Sequence, residues 1–260
     1  HPFFAEKHLK SEYEKNGASF DMGIHNPLGK EVIKDCQEAD ALIVNSQFVK
    51  DTFIEAGYDS DRIKVVYLGV REDFFALKKN YHINDKLRIL FTGGFGFRKG
   101  AEYALRAMQG LERQGIDYEF IVVGSHDEAQ PLIEKYPTKG LKLIGFVPQD
   151  DLKEYLATAD IYLFPSLCEG CASSGMEAMA TGLPVIATHE SGLPIENGKN
   201  GIIVPSKDVE SIVDAILTLK DNKSYRETLG KAAFQLISEH YTWEKYAEEV
   251  TKIYQDLLTE

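Results

Sequence analysis

The chain has only three cysteines, Cys36, Cys168 and Cys171, too few for a disulfide framework. Cys168 and Cys171 form a C-x-x-C, but no second Cys/His pair stands at metal-ligand spacing, so zinc or redox chemistry has little to build on. Reduced thiols and cytoplasmic residence are the expectation. Basic residues are outnumbered, 29 Lys and Arg against 41 Asp and Glu. The net charge of −12 argues against a nucleic-acid partner, which requires clustered cations. No apolar run approaches the roughly 18 residues that span a bilayer. The opening HPFFAEKHLK has the wrong order of charge and apolarity for a signal peptide. Neither G-x-x-x-x-G-K-[ST] nor G-x-G-x-x-G occurs at a strand-to-helix junction, which counts against a P-loop nucleotidase and a dehydrogenase. Internal repeats and low-complexity segments are also missing.

What is present is alternation. Strand-like runs at Ala41–Asn45, Lys64–Leu68, Arg88–Thr92, Glu119–Val123, Lys142–Ile144, Ile161–Phe164, Val185–Ala187 and Gly201–Val204 are separated by helix-like stretches. Several runs are continuously apolar and bounded by Gly, Pro or Asn, as buried parallel strands are. The pattern predicts an α/β protein with a doubly wound parallel sheet. Residues 3–15 and 222–258 read as helices without neighbouring strands. The last of these carries Trp243, Tyr246, Val250, Ile253 and Leu257 three to four residues apart, an apolar stripe expected to pack on a core.

The most informative stretch is ADIYLFPSLCEGCASSGMEAMATGLPVIA, from Ala159 to Ala187. A strand ends at Pro165, a loop carries Glu169, and a helix opening at Ser173 or Ser174 carries Glu177. Two carboxylates thus flank one strand-to-helix turn, where open α/β sheets collect ligands. Acids repel phosphate but accept hydroxyl groups, while the helix N-terminus offers N–H groups to anions. A ligand with both phosphates and vicinal hydroxyls fits, and a nucleotide sugar has both. The competing reading of Ser174-Gly-Met-Glu177 is a capping box, with Ser174 capping the helix and Glu177 reaching back.

A second candidate lies at Arg88–Gly100, where a strand runs through Gly93, Gly94 and Gly96 into Arg98 and Lys99 at a helix entrance. Glycines permit close backbone approach and the two cations suit a diphosphate. Gly124 and the Phe146–Val147 pair end the next two strand-like runs. Asp59-Ser-Asp61 is a D-x-D pattern, read as a turn between a helix and a strand. His189 follows a strand end and could approach a ligand, and His25 belongs to a turn before a helix starting near Pro27.

Glu169, seven residues, Glu177, then Ala-Met-Ala-Thr-Gly-Leu-Pro-Val-Ile-Ala up to Ala187 resembles the signature of retaining glycosyltransferases with the GT-B fold. Residues Ala39–Val70 and the C-terminal TWEKYAEEVTKIYQ resemble the same family's crossings between its two domains, so the likeness covers nearly the whole chain. It implies a remnant of the N-terminal, acceptor-side Rossmann domain at 1–69, a Rossmann-like nucleotide-sugar domain at 70–239, and a helix crossing back at 240–260. Much of the acceptor-side domain would then be missing. The implied activity is hexose transfer from a nucleotide-diphosphate sugar, with retention, without a metal and with no cofactor beyond that co-substrate. The acceptor would be a glycan or a lipid-linked molecule. Membrane contact, peripheral at the inner face, would come only through the missing domain.

The resemblance also implies roles. Glu177 would hold the ribose hydroxyls and Glu169 would face the donor sugar. Lys99, with Arg98, would neutralise the diphosphate. The N–H groups of Gly170, Cys171 and Ala172 would line sugar and phosphate, and those near Ser173 would assist the leaving group. Gly93, Gly94 and Gly124 would form the backbone turns, and the backbone at Phe146 and Val147 would meet the base, their side chains packing on the core. Two departures stand out: the family's usual arginine is Gly94 here, and Cys171-Ala172 replaces the usual aromatic-Gly pair. A nucleotide-binding module without transfer, and a nucleotide-sugar epimerase or dehydrogenase of similar fold, remain open at this point.

Overall fold

The computed structural model describes residues 1–259. Helices α1 (Pro2–Lys15) and α2 (Pro27–Glu38) lead into strand β1 (Leu42–Val44), helix α3 (Gln47–Glu55) and strand β2 (Ile63–Val65). After a linker come β3 (Leu87–Thr92), α4 (Ala101–Arg113), β4 (Tyr118–Val123), α5 (Gln130–Lys135), β5 (Leu141–Gly145), α6 (Gln149–Thr158), β6 (Ile161–Phe164), α7 (Ser173–Thr181), β7 (Val185–Thr188) and β8 (Ile202–Val204). Three helices close the chain: α8 (Val209–Asp221), α9 (Lys223–His240) and α10 (Trp243–Thr259). Every expected strand is present, with ends within one residue of expectation except that β2 stops at Val65, three residues before the expected Leu68.

Six strands form one parallel sheet in the order β5-β4-β3-β6-β7-β8, with helices between them. Residues alternating along β3, β4, β6 and β7 are buried on both sides, which explains their unbroken apolar character. Phe91 of β3 stacks on Phe164 of β6 at 5.4 Å, and Phe95 meets Phe91 and Phe120 edgewise at 5.0 and 5.7 Å. Each such ring contributes about 2–3 kcal/mol by burial, so an aromatic floor underlies the carboxyl ends of the central strands. Because the strand order reverses between β3 and β6, the crevice above their ends is a topological switch point.

A second, two-stranded parallel sheet pairs β1 with β2 over a small cluster of Val44, Phe53 and Ile63. The chain passes from it to the large sheet at Gly69–Val70 and returns at Tyr241–Thr242, and these crossings touch, Val70 N–H donating to Tyr241 O at 2.8 Å. Helix α1 belongs to the 1–69 stretch yet buries Ala5 and Leu9 in the large core. Its Lys15 and Glu12 meet Glu102 and Tyr103 of α4 at 2.8 and 2.9 Å.

Two expectations about packing are corrected. None of the residues of α10 is buried, and Trp243 is exposed. Its stripe faces Ile63–Val66, and two strands are too narrow to cover a five-turn helix, so Val250, Ile253 and Leu257 are half-buried. Phe146 does not pack on the core either: it is 86% exposed, because β5 is the sheet edge and Phe146 lies just past its end. Val147 does pack against the core, partly buried.

Candidate functional site

The two loops singled out in the sequence leave β3 and β6, the neighbours that flank the switch point. They are stitched together. Leu167 N–H and Ser166 Oγ donate to Arg98 O at 2.9 and 3.2 Å, and Arg98 Nη1 donates to Cys168 O at 3.0 Å. Gly100 completes the joint in the left-handed region at φ +74°, where an added Cβ would collide with the Pro165 carbonyl. Gly100→Ala is therefore expected to lose about 1–2 kcal/mol from backbone conformation alone, read as a lower urea midpoint at unchanged slope.

Lys99 is half-buried, its Nζ 5.4 Å from the centre of the Phe164 ring and over Gly93, where a Cβ would lie only 2.9 Å away. Burial lowers its pKa from the usual lysine value; Glu169 offsets part of that, and Arg98 adds a smaller repulsion. Lys99 is thus a poorly solvated cation beside the glycine-rich turn. Gly93, at φ +109°, and the exposed Gly94 form that turn, tied down by Gly93 N–H to Val123 O at 2.8 Å and Phe95 N–H to Ser125 O at 2.7 Å. Gly124 caps the next strand, donating to Gly145 O at 2.8 Å.

Arg98 turns to Glu169: Nη1 lies 2.6 Å from Oε1, although no aligned hydrogen bond reaches that oxygen. Burial works against the guanidinium charge, but the Glu169 carboxylate outweighs it and holds the arginine pKa above its ordinary value. Arg98 is therefore committed to the acid and to Cys168 O, and only Lys99 stands uncommitted by an ion pair at the glycine-rich loop among the described residues.

The Glu169 loop is held from both sides. Glu169 N–H donates to Glu190 O at 2.8 Å, Ala172 N–H to Ser191 O at 3.0 Å, and Ser46 Oγ to Gly170 O. Ala172 departs from its expected part, because its N–H is already taken. The N–H groups of Gly170, Cys171, Ser173 and Ser174 have no backbone acceptor among the described residues. Cys171 is buried, and burial pushes its thiol up to about 12 with a further push from Glu169, so it serves as a small apolar wall.

The capping box is not formed. Helix α7 starts at Ser173 with Ala172 as its cap, and no side chain bonds to the cap N–H groups. Ser174 Oγ instead accepts from Tyr162 at 3.0 Å. Glu177 is consequently free of its helix start. It is largely buried, and its pKa rises to about 7 through desolvation, lowered again by Arg71 and raised by Asp73 at a distance. A carboxylate without a hydrogen-bonding partner, one turn into a helix that opens with free N–H groups, is poised for a ligand's hydroxyls.

Elsewhere the sequence candidates prove structural. Asp59 caps a single 3₁₀ turn by accepting from Asp61 N–H at 3.0 Å, as the turn reading expected. Asn26 caps α2 before Pro27. His189 points to helix α3, 3.8 Å from Asp51 and edgewise on Phe48. The Thr92–Tyr162–Ser174 hydroxyls beneath the site went unread in the sequence, because a tyrosine in a buried strand carries no local signal of its partner.

The fold is the parallel α/β domain found in GT-B glycosyltransferases. The chain belongs to the family described as glycosyl transferases group 1, whose model matches residues 73–236. It is 33% identical over 195 residues to the amylovoran biosynthesis glycosyltransferase AmsK of Erwinia amylovora, covering 70% of this chain and 48% of that protein. Over 188 residues it is 27% identical to the alpha-D-kanosaminyltransferase of Streptomyces kanamyceticus, again 70% of this chain and 48% of the relative. The chain thus spans about half the length of these relatives. Among solved structures, Anabaena HepE in complex with UDP and glucose superposes with a TM-score of 0.72 at 20% identity, covering 88% of this chain and 66% of that one. Sucrose-phosphate synthase from Thermosynechococcus elongatus superposes at 0.75 and 21% identity, over 96% and 66%. Family membership sets aside the dehydrogenase and epimerase readings.

Proposed function

We propose that this chain carries the donor site of a hexosyltransferase that uses a nucleotide-diphosphate sugar, retains the anomeric configuration and needs no metal. The observation that carries the reading is Glu177: a largely desolvated carboxylate with no hydrogen-bonding partner, on the short helix that follows β6 beside the switch point and opens with the free N–H groups of Ser173 and Ser174. The ribose diol would donate to Glu177, and the diphosphate would lie between Lys99 and the N–H groups of Ser173 and Ser174. Glu169, held by Arg98, would accept from hydroxyls of the sugar. As the bond between sugar and diphosphate breaks, negative charge grows on the leaving phosphate, and Lys99 with the helix N-terminus would stabilise it. The base would meet the backbone near Phe146 and Val147. UDP complexes of the structurally similar HepE support a nucleoside diphosphate as ligand. The acceptor, a glycan or lipid-linked molecule, would be presented by the part of the relatives that this chain does not span.

The test is calorimetric titration of the chain with UDP, GDP, ADP and NAD. One nucleoside diphosphate is expected to bind, and NAD is not. Binding of NAD alone would overturn the reading.

A further inference from the structure

We propose that Ser46, which follows strand β1 of the small sheet, is a positioning residue for recognition of the donor sugar: its hydroxyl fixes the loop that carries Glu169. That Glu169 accepts from a sugar rests on the reading above; the fastening of its loop by Ser46 does not.

The loop between β6 and α7 must hold Glu169 in place without regular structure of its own. Its two outer ties come from the large sheet's own side, Glu169 N–H to Glu190 O at 2.8 Å and Ala172 N–H to Ser191 O at 3.0 Å. Between them, Gly170 and Cys171 have one hydrogen bond among the described residues, and its donor lies 124 residues away: Ser46 Oγ donates to Gly170 O. Ser46 is fully buried. Its Oγ also accepts from Val49 N–H at 3.2 Å and so caps α3, which leaves its single proton for Gly170. The contact is close on every side. A Cβ at Gly170 would stand 2.8 Å from Asn45 Nδ2, and one at Gly192 would stand 2.2 Å from Gly170 O and 2.9 Å from Ser46 Oγ.

A peptide is planar, so holding Gly170 O toward Ser46 sets the plane of the whole Gly170–Cys171 peptide. One residue upstream is the backbone from which the Glu169 side chain leaves. Without the hydroxyl, Gly170 has no Cβ to restrict its dihedrals, and the outer ties do not fix the peptide between them. Arg98 pairs with the Glu169 carboxylate but sets no backbone angle in this loop. Ser46 therefore acts on a sugar through Glu169 and touches no ligand itself.

The experiment compares the wild-type chain with Ser46→Gly and Ser46→Thr. Glycine caps a helix at little cost, so Ser46→Gly removes the bond to Gly170 O while sparing α3. Threonine keeps the hydroxyl. Circular dichroism melts report folding, and calorimetry uses UDP-glucose, GDP-mannose and ADP-glucose, each beside its nucleoside diphosphate. For the nucleotide sugar that the wild-type chain binds, Ser46→Gly is expected to weaken binding about tenfold, as loss of a bond to a buried acceptor does. The matching diphosphate should change less than about twofold, since the site's phosphate contacts are untouched. Ser46→Thr should bind like the wild type. Equal losses for nucleotide sugar and diphosphate, or unchanged sugar affinity beside a lower melting temperature, make Ser46 a structural residue and overturn the proposal. So does a Ser46→Thr chain that melts like the wild type and binds like Ser46→Gly. In each of these cases, nucleotide-sugar binding by the wild-type chain leaves the donor site standing. Wild-type binding of a diphosphate but of no nucleotide sugar removes the sugar role of Glu169 and the proposal with it. Binding of none of these ligands overturns the donor site as well.

Discussion

Lys99→Ala is expected to lower the affinity for the cognate nucleoside diphosphate by roughly one to two decades, the value of a lost charge-assisted contact. The effect should lie at the upper end of that range for a physical reason. A phosphate-binding site in this position would ordinarily share its charge between two cations. Here Gly94 offers none, and Arg98 is held 2.6 Å from Glu169. The remaining ammonium is half-buried, and its lowered pKa reports that water solvates it poorly. An anion arriving there displaces little competing solvation and meets a cation whose attraction is weakly screened. Lys99→Arg should not restore affinity, since the longer, planar group cannot fit between Gly93 and the Phe164 ring. The measurement is calorimetry with the nucleoside diphosphate and the bare nucleoside. A loss confined to the diphosphate assigns Lys99 to the phosphates. An equal loss for both would make it a structural residue.

Glu177→Ala is expected to weaken the same ligand at least tenfold, and Glu177→Gln to change how stability and binding respond to pH. The sign follows from the direction of the shift. Burial raises the folded-state pKa from an ordinary 4.5 to about 7, so between these values the folded protein holds a proton that the unfolded chain has released. Stability attributable to this group is complete below about pH 4.5 and falls as pH rises through 7, by about 1–3 kcal/mol in total. Glutamine cannot ionise. Relative to the wild type, Glu177→Gln should therefore gain melting temperature at pH 8 and show little difference at pH 5. Binding runs the other way. Accepting two ribose hydroxyls requires the ionised form, so wild-type affinity should rise from pH 6 to pH 8, and the glutamine variant should lack that part of the slope. A wild-type pH profile identical to that of the variant would show that Glu177 is ionised throughout and that its burial is unimportant.

These two residues also show how far the chain could be read before it was seen folded. Both were legible because they belong to local patterns. Lys99 sits at a strand-glycine-helix junction, and Glu177 sits eight residues after Glu169 in a long matching frame. The sheet was legible for the same reason, since unbroken apolar runs such as Ile161–Phe164 can be satisfied only by burial on both faces. Local patterns misled where the partner was remote. Ser174-Gly-Met-Glu177 has the letters of a capping box, but Tyr162 rises from the strand below and takes the serine. Phe146 has the composition of a core residue, but it follows a strand that is at the sheet's edge, and edge position is a property of strand order. The stripe on α10 was visible, whereas the small surface it meets was not.

The sequence by itself determined the alternation of strands and helices, the pair of acids, the glycine-rich turn and the absence of a second cation at position 94, because each depends on residues near one another along the chain. The tertiary structure alone decided that the β3 and β6 loops meet at the switch point, that Arg98 pairs with Glu169, and that Glu177 is left unpaired with its pKa raised to about 7. Contacts seventy residues apart and the dielectric around a carboxyl are set by packing, which no local pattern encodes.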